Sequence, residues 1–239
     1  MLIKTLAFVL HHFPYGERSI IVRMYTREVG LQSYLIPSAR GKNSPLTPAL
    51  MNPLQGLELI AYNHNDDRLE RIKETARINK VDVIHQHPIK TTIAQFMAEV
   101  ILRSTQDQEP NSELFDFISH AAEQLENPVN DLANLPLFFT LKLTEYLGFY
   151  PHALSGGCVL DLREGAFSVG IPHHPDFAKE QDSKAILEVL GKPWTQCQRT
   201  PLASETRLAG LKTLEKYYRI HLNERLGFKS LDVLHMVLS

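Results

Sequence analysis

Apolar and polar positions in residues 1–80 alternate at period 2 in short runs, the pattern of half-buried strands. Thr5 to His12 and Ser19 to Thr26 read as two strands, separated by Pro14-Tyr15-Gly16. Arg27-Glu28-Val29-Gly30 turns the chain into Leu31 to Ile36, and Gly41-Lys42-Asn43-Ser44-Pro45 makes a longer loop. Leu57 to Tyr62, a turn at Asn63 to Asp67 and a last strand at Leu69 to Ile78 follow. Such a run of short strands predicts a small antiparallel barrel or sandwich. In the second strand Ile20, Val22 and Met24 take one face, and Arg23 and Tyr25 the other. In the last strand Arg71, Lys73, Thr75 and Arg77 share a face.

From Pro88 the period becomes helical. Ile93, Phe96, Met97, Val100 and Ile101 form one stripe, and Leu114, Phe115, Ile118, Ala121, Ala122 and Leu125 the next, with Asn111 or Ser112 as its N-cap. Leu137 to Leu147 is a third, very apolar helix that ends at Gly148. Residues 149–200 lose the pattern among prolines and glycines. A helix returns at Ser204, with Leu208, Leu211, Leu214, Tyr218 and Leu222 at helical spacing, and Leu231 to Leu238 closes the chain. The boundaries read as 1–80, 81–150, 151–200 and 201–239, an α+β arrangement.

Charge sharpens this division. The total is −2, but residues 1–80 carry 11 Lys/Arg against 7 Asp/Glu, residues 81–150 carry 3 against 10, and residues 151–239 carry 11 against 10. A basic first block beside an acidic second one points to an anionic partner for the first. Apolar residues at 44% exclude wholesale disorder, and two cysteines, Cys158 and Cys197, exclude a disulfide framework. A reducing, cytoplasmic compartment is the expectation. The longest uncharged runs fall short of a membrane span, and the N-terminus lacks the features of a signal peptide.

Chemical motifs are few. No phosphate-loop, dinucleotide-binding or nucleophile-elbow signature is present. His152, Cys158, His173 and His174 are zinc-type ligands, but their spacing matches no standard pattern, and a loop with ordinary surface histidines explains them as well. His11 and His12 sit in a strand and face opposite sides, as structural or surface residues. Trp194 reads as a loop anchor. The basic positions of the first block are more suggestive. Cations at period 2 with Tyr15, Tyr25 and Tyr34 nearby suit a surface that follows a phosphate backbone and stacks on bases. The loop Ser38-Ala39-Arg40-Gly41-Lys42-Asn43-Ser44 adds two cations and two hydroxyls on a backbone freed by glycine. A solvated outer sheet face has the same pattern. The nucleic-acid reading assigns Arg18, Arg23, Arg27, Arg40, Lys42, Arg71, Lys73 and Arg77 to phosphates, and Tyr25 and Tyr34 to bases.

Several segments, in order, resemble the bacterial recombination and repair protein O (RecO) family. Tyr15-Gly16-Glu17-Arg18-Ser19, with Ile21 to Thr26 and Gly30, is similar to its opening strand pair. Ser38-Ala39-Arg40-Gly41 corresponds to its short Gly/Ala-Arg loop, and Pro53 to Leu59 to the strand that follows. Glu109 to Asp116 resembles a helix start in its middle domain, and Leu143 to Pro151 the lead into its zinc module. Leu222 to Ser230 resembles the closing motif.

The resemblance implies an N-terminal OB-fold and a helical domain with a zinc-finger-like insert. It implies a non-enzymatic mediator that binds single- and double-stranded DNA, anneals complementary strands and works with RecR. Such proteins help load RecA onto DNA covered by single-strand-binding protein and contact that protein's acidic tail; whether a RecF-type partner joins them is open. Many members carry two Cys-x-x-Cys pairs in the insert, of which at most Cys158 remains here, beside His173 and His174. The expectation is therefore no metal and no other cofactor, with Val159, Leu160, Leu162, Phe167, Val169 and Ile171 holding the insert together. Lys142, one turn after Leu137-Phe138, is the candidate for the acidic tail. Two other readings compete: a protein-only adaptor that docks a protein on the barrel, and a zinc-dependent hydrolase built on the insert.

Overall fold

A computed structural model describes residues 1–37, 41, 44–64, 69–78, 84, 86–105, 109–127, 131–154 and 156–239. They form two compact units, Met1–Glu126 and Asn127–Ser239.

The first unit opens with five strands: β1 (Leu2–Tyr15), β2 (Ser19–Thr26), β3 (Gly30–Ile36), β4 (Gly56–Tyr62) and β5 (Glu70–Arg77). They close a barrel in the order β1-β2-β3-β5-β4. β1 is long enough to serve two neighbours, pairing Leu2 to Phe8 with β4 and Ala7 to Tyr15 with β2. The β3–β5 contact that closes the barrel is parallel and short, joining Tyr34 to Glu70 and Leu35 to Arg71. Val9, Val22, Met24, Ile36, Leu57, Leu59 and Ile72 fill the interior, where alternation directs them. Leu46 and Met51, on the segment between β3 and β4, join the same core.

Among the described residues two long helices follow in this unit, α1 (Pro88–Ser104) and α2 (Ser112–Glu126). Pro88 suits the first turn of α1, where its missing N–H is not needed. Asn111 caps α2, its Oδ1 accepting the Leu114 N–H at 3.0 Å. Phe115 of α2 packs on Phe8 of β1, with ring centroids 5.2 Å apart. Gly30 takes φ +67°, and Pro110 lies 3.4 Å from where a Cβ would stand.

The second unit contains α3 (Leu135–Tyr146), four short strands and four further helices: α4 (Glu180–Val189), α5 (Trp194–Cys197), α6 (Ser204–His221) and α7 (Leu231–Leu238). The strands are β6 (His152–Ala153), β7 (Val159–Asp161), β8 (Ala166–Ser168) and β9 (Phe177–Ala178), in sheet order β6-β8-β7-β9. The segment expected to be irregular thus contains a sheet and two helices. Strands of two or three residues are too short to display a period. Leu160, Leu162 and Phe167 are fully buried as expected, whereas Val169 and Ile171 are exposed and do not hold the insert. Trp194 is buried at the start of α5, its ring 5.4 Å from Phe138.

Helix α6 carries the sheet. The Tyr217 hydroxyl donates to the Phe149 carbonyl at 2.6 Å, and His221 Nε2 lies 2.9 Å from the Leu162 carbonyl while its ring stacks on Phe149. Among the described residues no helix is long and apolar enough to cross a membrane.

Candidate nucleic-acid interface

The expected DNA-contacting residues separate into three groups. Arg18, Arg71, Lys73 and Arg77 are exposed. Arg18 and Arg71 form no ion pair among the described residues, while Lys73 Nζ lies 3.6 Å from Glu74. Arg40 and Lys42 lie outside the described residues, as do Ser38, Ala39 and Asn43.

The remaining four are buried or half-buried. Tyr25 and Tyr34 are each 1% exposed, so neither can stack on a base; this corrects the expectation from alternation. Tyr34 lies among the barrel-core residues, where burial pushes its phenol far above the ordinary range. Tyr25 is on the outer face, as expected, but that face is covered there, and its hydroxyl points to the Asn111 carbonyl at 3.4 Å. Arg27 donates to Asp116 of α2 through Nη1 and Nη2 and lies over the Phe115 ring, 5.6 Å from its centroid. Arg23 is half-buried, and burial pushes its guanidinium below the ordinary value. Its Nε has no hydrogen-bond partner among the described residues.

The stripe on β5 is also split. Ile60 of β4 faces Glu74, but the next residue, Ala61, faces Ile72, so Lys73 is an extra residue on β5. Arg71 and Lys73 lie on the outside before this bulge. Beyond it Thr75 and Arg77 stand opposite the core residues Leu59 and Leu57, and so change face. A bulge leaves no mark in an alternating sequence, which is why the four positions appeared to share one face.

The hairpin tip supplies what the alternation missed. β1 runs on to Tyr15, with Pro14 opposite Ile20, past the point where proline seemed to end it. Phe13 is 38% and Tyr15 52% exposed. They occupy alternate positions with His11, whose ring centroid is 6.0 Å from that of Phe13. His11 stands opposite Arg23, Phe13 opposite Ile21, and Tyr15 opposite Ser19.

In the second unit, Lys142 is ion-paired to Glu145 and lies over Tyr150 at 5.7 Å. Burial lowers its ammonium, but the Glu145 hydrogen bond and charge outweigh this and raise it above the ordinary value. Among the zinc-type residues, the Cys158 thiol is free and the His174 ring is paired. The Cys158 backbone is bonded to Ser168 and Ser183, and His174 Nε2 lies 3.1 Å from Asp161. Burial raises the Asp161 carboxyl, yet the Glu164 and Arg163 N–H groups and the His174 ring together hold it below its usual value. Among the described residues no three His, Cys, Asp or Glu side chains are grouped to hold a metal ion. A lone thiol with histidines so placed does not match a structural zinc site, which needs four convergent ligands.

Comparison with known proteins decides the lineage. The model described as Recombination protein O N terminal matches residues 1–80, and that described as Recombination protein O C terminal matches residues 85–232. The chain belongs to the recombination protein O family. It is 34% identical over 242 residues to DNA repair protein RecO of Flavobacterium psychrophilum, covering 100% of both chains. It is 30% identical over 241 residues to the protein of the same name from Phocaeicola vulgatus, again over 100% of both, and 30% identical over 237 residues to that of Bacteroides fragilis, over 98% of both. Recombination protein O members are non-enzymatic DNA repair and recombination proteins, and membership implies interaction with DNA and with RecR. The closed barrel followed by helices is the architecture expected of them.

Proposed function

We propose that this chain is a cytoplasmic recombination mediator that binds single- and double-stranded DNA and anneals complementary strands. With RecR it helps load RecA onto DNA coated by single-strand-binding protein. The observation that carries the reading is the closed barrel with exposed Arg18 and Arg71, unpaired among the described residues, on a chain matched by the family over residues 1–80 and 85–232. We assign phosphate contacts to Arg18, Arg71, Lys73 and Arg77, together with Arg40 and Lys42 of the loop, and to Arg23 at its half-buried position.

Annealing requires no covalent chemistry. It requires cations that offset repulsion between strands, and contacts weak enough for bases to search for register. For the acidic tail of single-strand-binding protein, Lys142 must exchange Glu145 for a tail carboxylate. A RecF-type partner is left to the assay.

The test is strand annealing on DNA coated with single-strand-binding protein, with and without RecR. Annealing that RecR changes, and binding whose logarithm falls with log salt at a slope of roughly −5 for seven single-strand phosphate contacts, support the mediator. A slope near zero, or no binding at low salt, leaves the protein-only adaptor.

A further inference from the structure

We propose that the outer face of the β1–β2 hairpin is a base-stacking platform selective for single-stranded nucleic acid, with His11, Phe13 and Tyr15 as its rings and Arg18 and Arg23 as its cations. This rests on the nucleic-acid reading of the barrel and adds to it a site made of residues outside the basic stripe.

Three observations converge on the hairpin. First, its rings are available. Phe13 and Tyr15 are among the exposed large apolar side chains, whereas the two tyrosines expected to stack are buried. An aromatic pair left open to water on a strand that extends beyond its core is an unpartnered apolar face. Second, the surroundings are cationic. Arg18 is exposed at the turn, and half-buried Arg23 stands opposite His11 with a buried, unpartnered Nε. Glu17 at the turn and Glu99 of α1 near His11 are the acids nearby. An aromatic protein surface would satisfy the rings and leave the cations; a polyanion that also carries flat rings satisfies both.

Third, the spacing selects the strand type. Residues two apart on a strand are about 6.8 Å apart, twice the roughly 3.4 Å between stacked bases of one nucleic-acid strand. One base can meet each ring only when the bases are unstacked from one another. A duplex, whose bases are stacked and paired, presents no such faces and is left to the cations alone.

The test uses the full chain and the double variant Phe13→Ala/Tyr15→Ala, with labelled oligo(dT) and a labelled duplex at low salt. Both side chains are exposed, and thermal melting checks that the variant folds. The expected result is a loss of at least about fivefold in oligo(dT) affinity per ring, with duplex affinity within about twofold. Unchanged oligo(dT) affinity in the double variant, with wild-type binding intact, overturns the platform and leaves the mediator reading standing. An equal loss on both DNAs overturns it too, by showing a general contact. A wild-type chain that binds neither DNA overturns both. Phe13→Trp gives an independent signal above that of buried Trp194: its emission should be quenched by oligo(dT) and not by duplex, and quenching by neither contradicts stacking.

Discussion

Arg27 of the barrel and Asp116 of α2 are joined by a two-pronged guanidinium–carboxylate contact, with Nη2 3.0 Å from Oδ2. Asp116 raises the Arg27 guanidinium above its ordinary value by that hydrogen bond. An arginine that looks like a DNA contact is therefore a clasp between strand turn and helix. The Glu109 to Asp116 segment, notable in the sequence as a helix start, folds onto the barrel by way of Asn111 and Asp116.

The clasp separates Arg27 from the other cations. Arg27→Ala should leave the salt dependence of single-strand binding unchanged, because its charge is already neutralised by Asp116. Arg71→Ala should flatten the log–log slope by about 0.7, the loss of one phosphate contact. Fluorescence polarisation across a salt series reads both, and a flatter slope for Arg27→Ala contradicts the assignment.

Tyr34 contributes to stability and not to binding. Tyr34→Ala empties a fully buried barrel position and should cost about 3–5 kcal/mol in urea unfolding. Tyr25→Phe, which removes only a long hydrogen bond to Asn111, should leave oligo(dT) affinity unchanged. Weaker binding by a fully folded Tyr25→Phe protein would show that the Tyr25 hydroxyl reaches DNA and contradict its being covered.

His11 makes stability depend on pH. Burial lowers its imidazole below the ordinary 6.5, His12 and Arg23 push the same way, and Glu99 opposes them. The folded chain therefore binds fewer protons here than the unfolded chain just below that value. The contribution is complete above 6.5 and is lost as the pH falls toward the folded pKa. The urea midpoint should drop as the pH falls below 6.5, and His11→Asn should remove part of that drop. An identical drop in the variant places the titration elsewhere.

Gly165 holds the insert against α6. It takes φ +65°, and a Cβ there would collide with the Tyr217 hydroxyl that donates to Phe149. Gly165→Ala should destabilise the second unit by at least about 1 kcal/mol from the backbone alone. Chemical denaturation followed through buried Trp194 measures this, and an unchanged midpoint counts against the arrangement.

Much of the fold was legible because local rules and tertiary packing agree. Val22 and Met24 alternate into the core as their spacing requires, Asn111 caps the helix it precedes, and the stripes of α1 and α2 are buried. The sheet β6–β9 escaped because its strands are shorter than any period, and α4 because proline and glycine on either side disguised Ala185, Ile186 and Val189. The candidate interface was legible as a basic first block, but the surroundings of its individual residues were not. A basic first block was evident, yet Arg27 is clasped, Arg77 has crossed faces beyond a bulge, and Tyr25 is covered.

By itself the sequence determined the strands of the barrel and the longer helices, the family, the charge division and the inward face of β2, since period 2 assigns faces without reference to anything distant. Only the tertiary structure decided which outward residues meet solvent. Alternation says that Tyr25 and Tyr15 both avoid the barrel core, but water reaches one and not the other, because what packs on an outer face comes from segments remote in the chain.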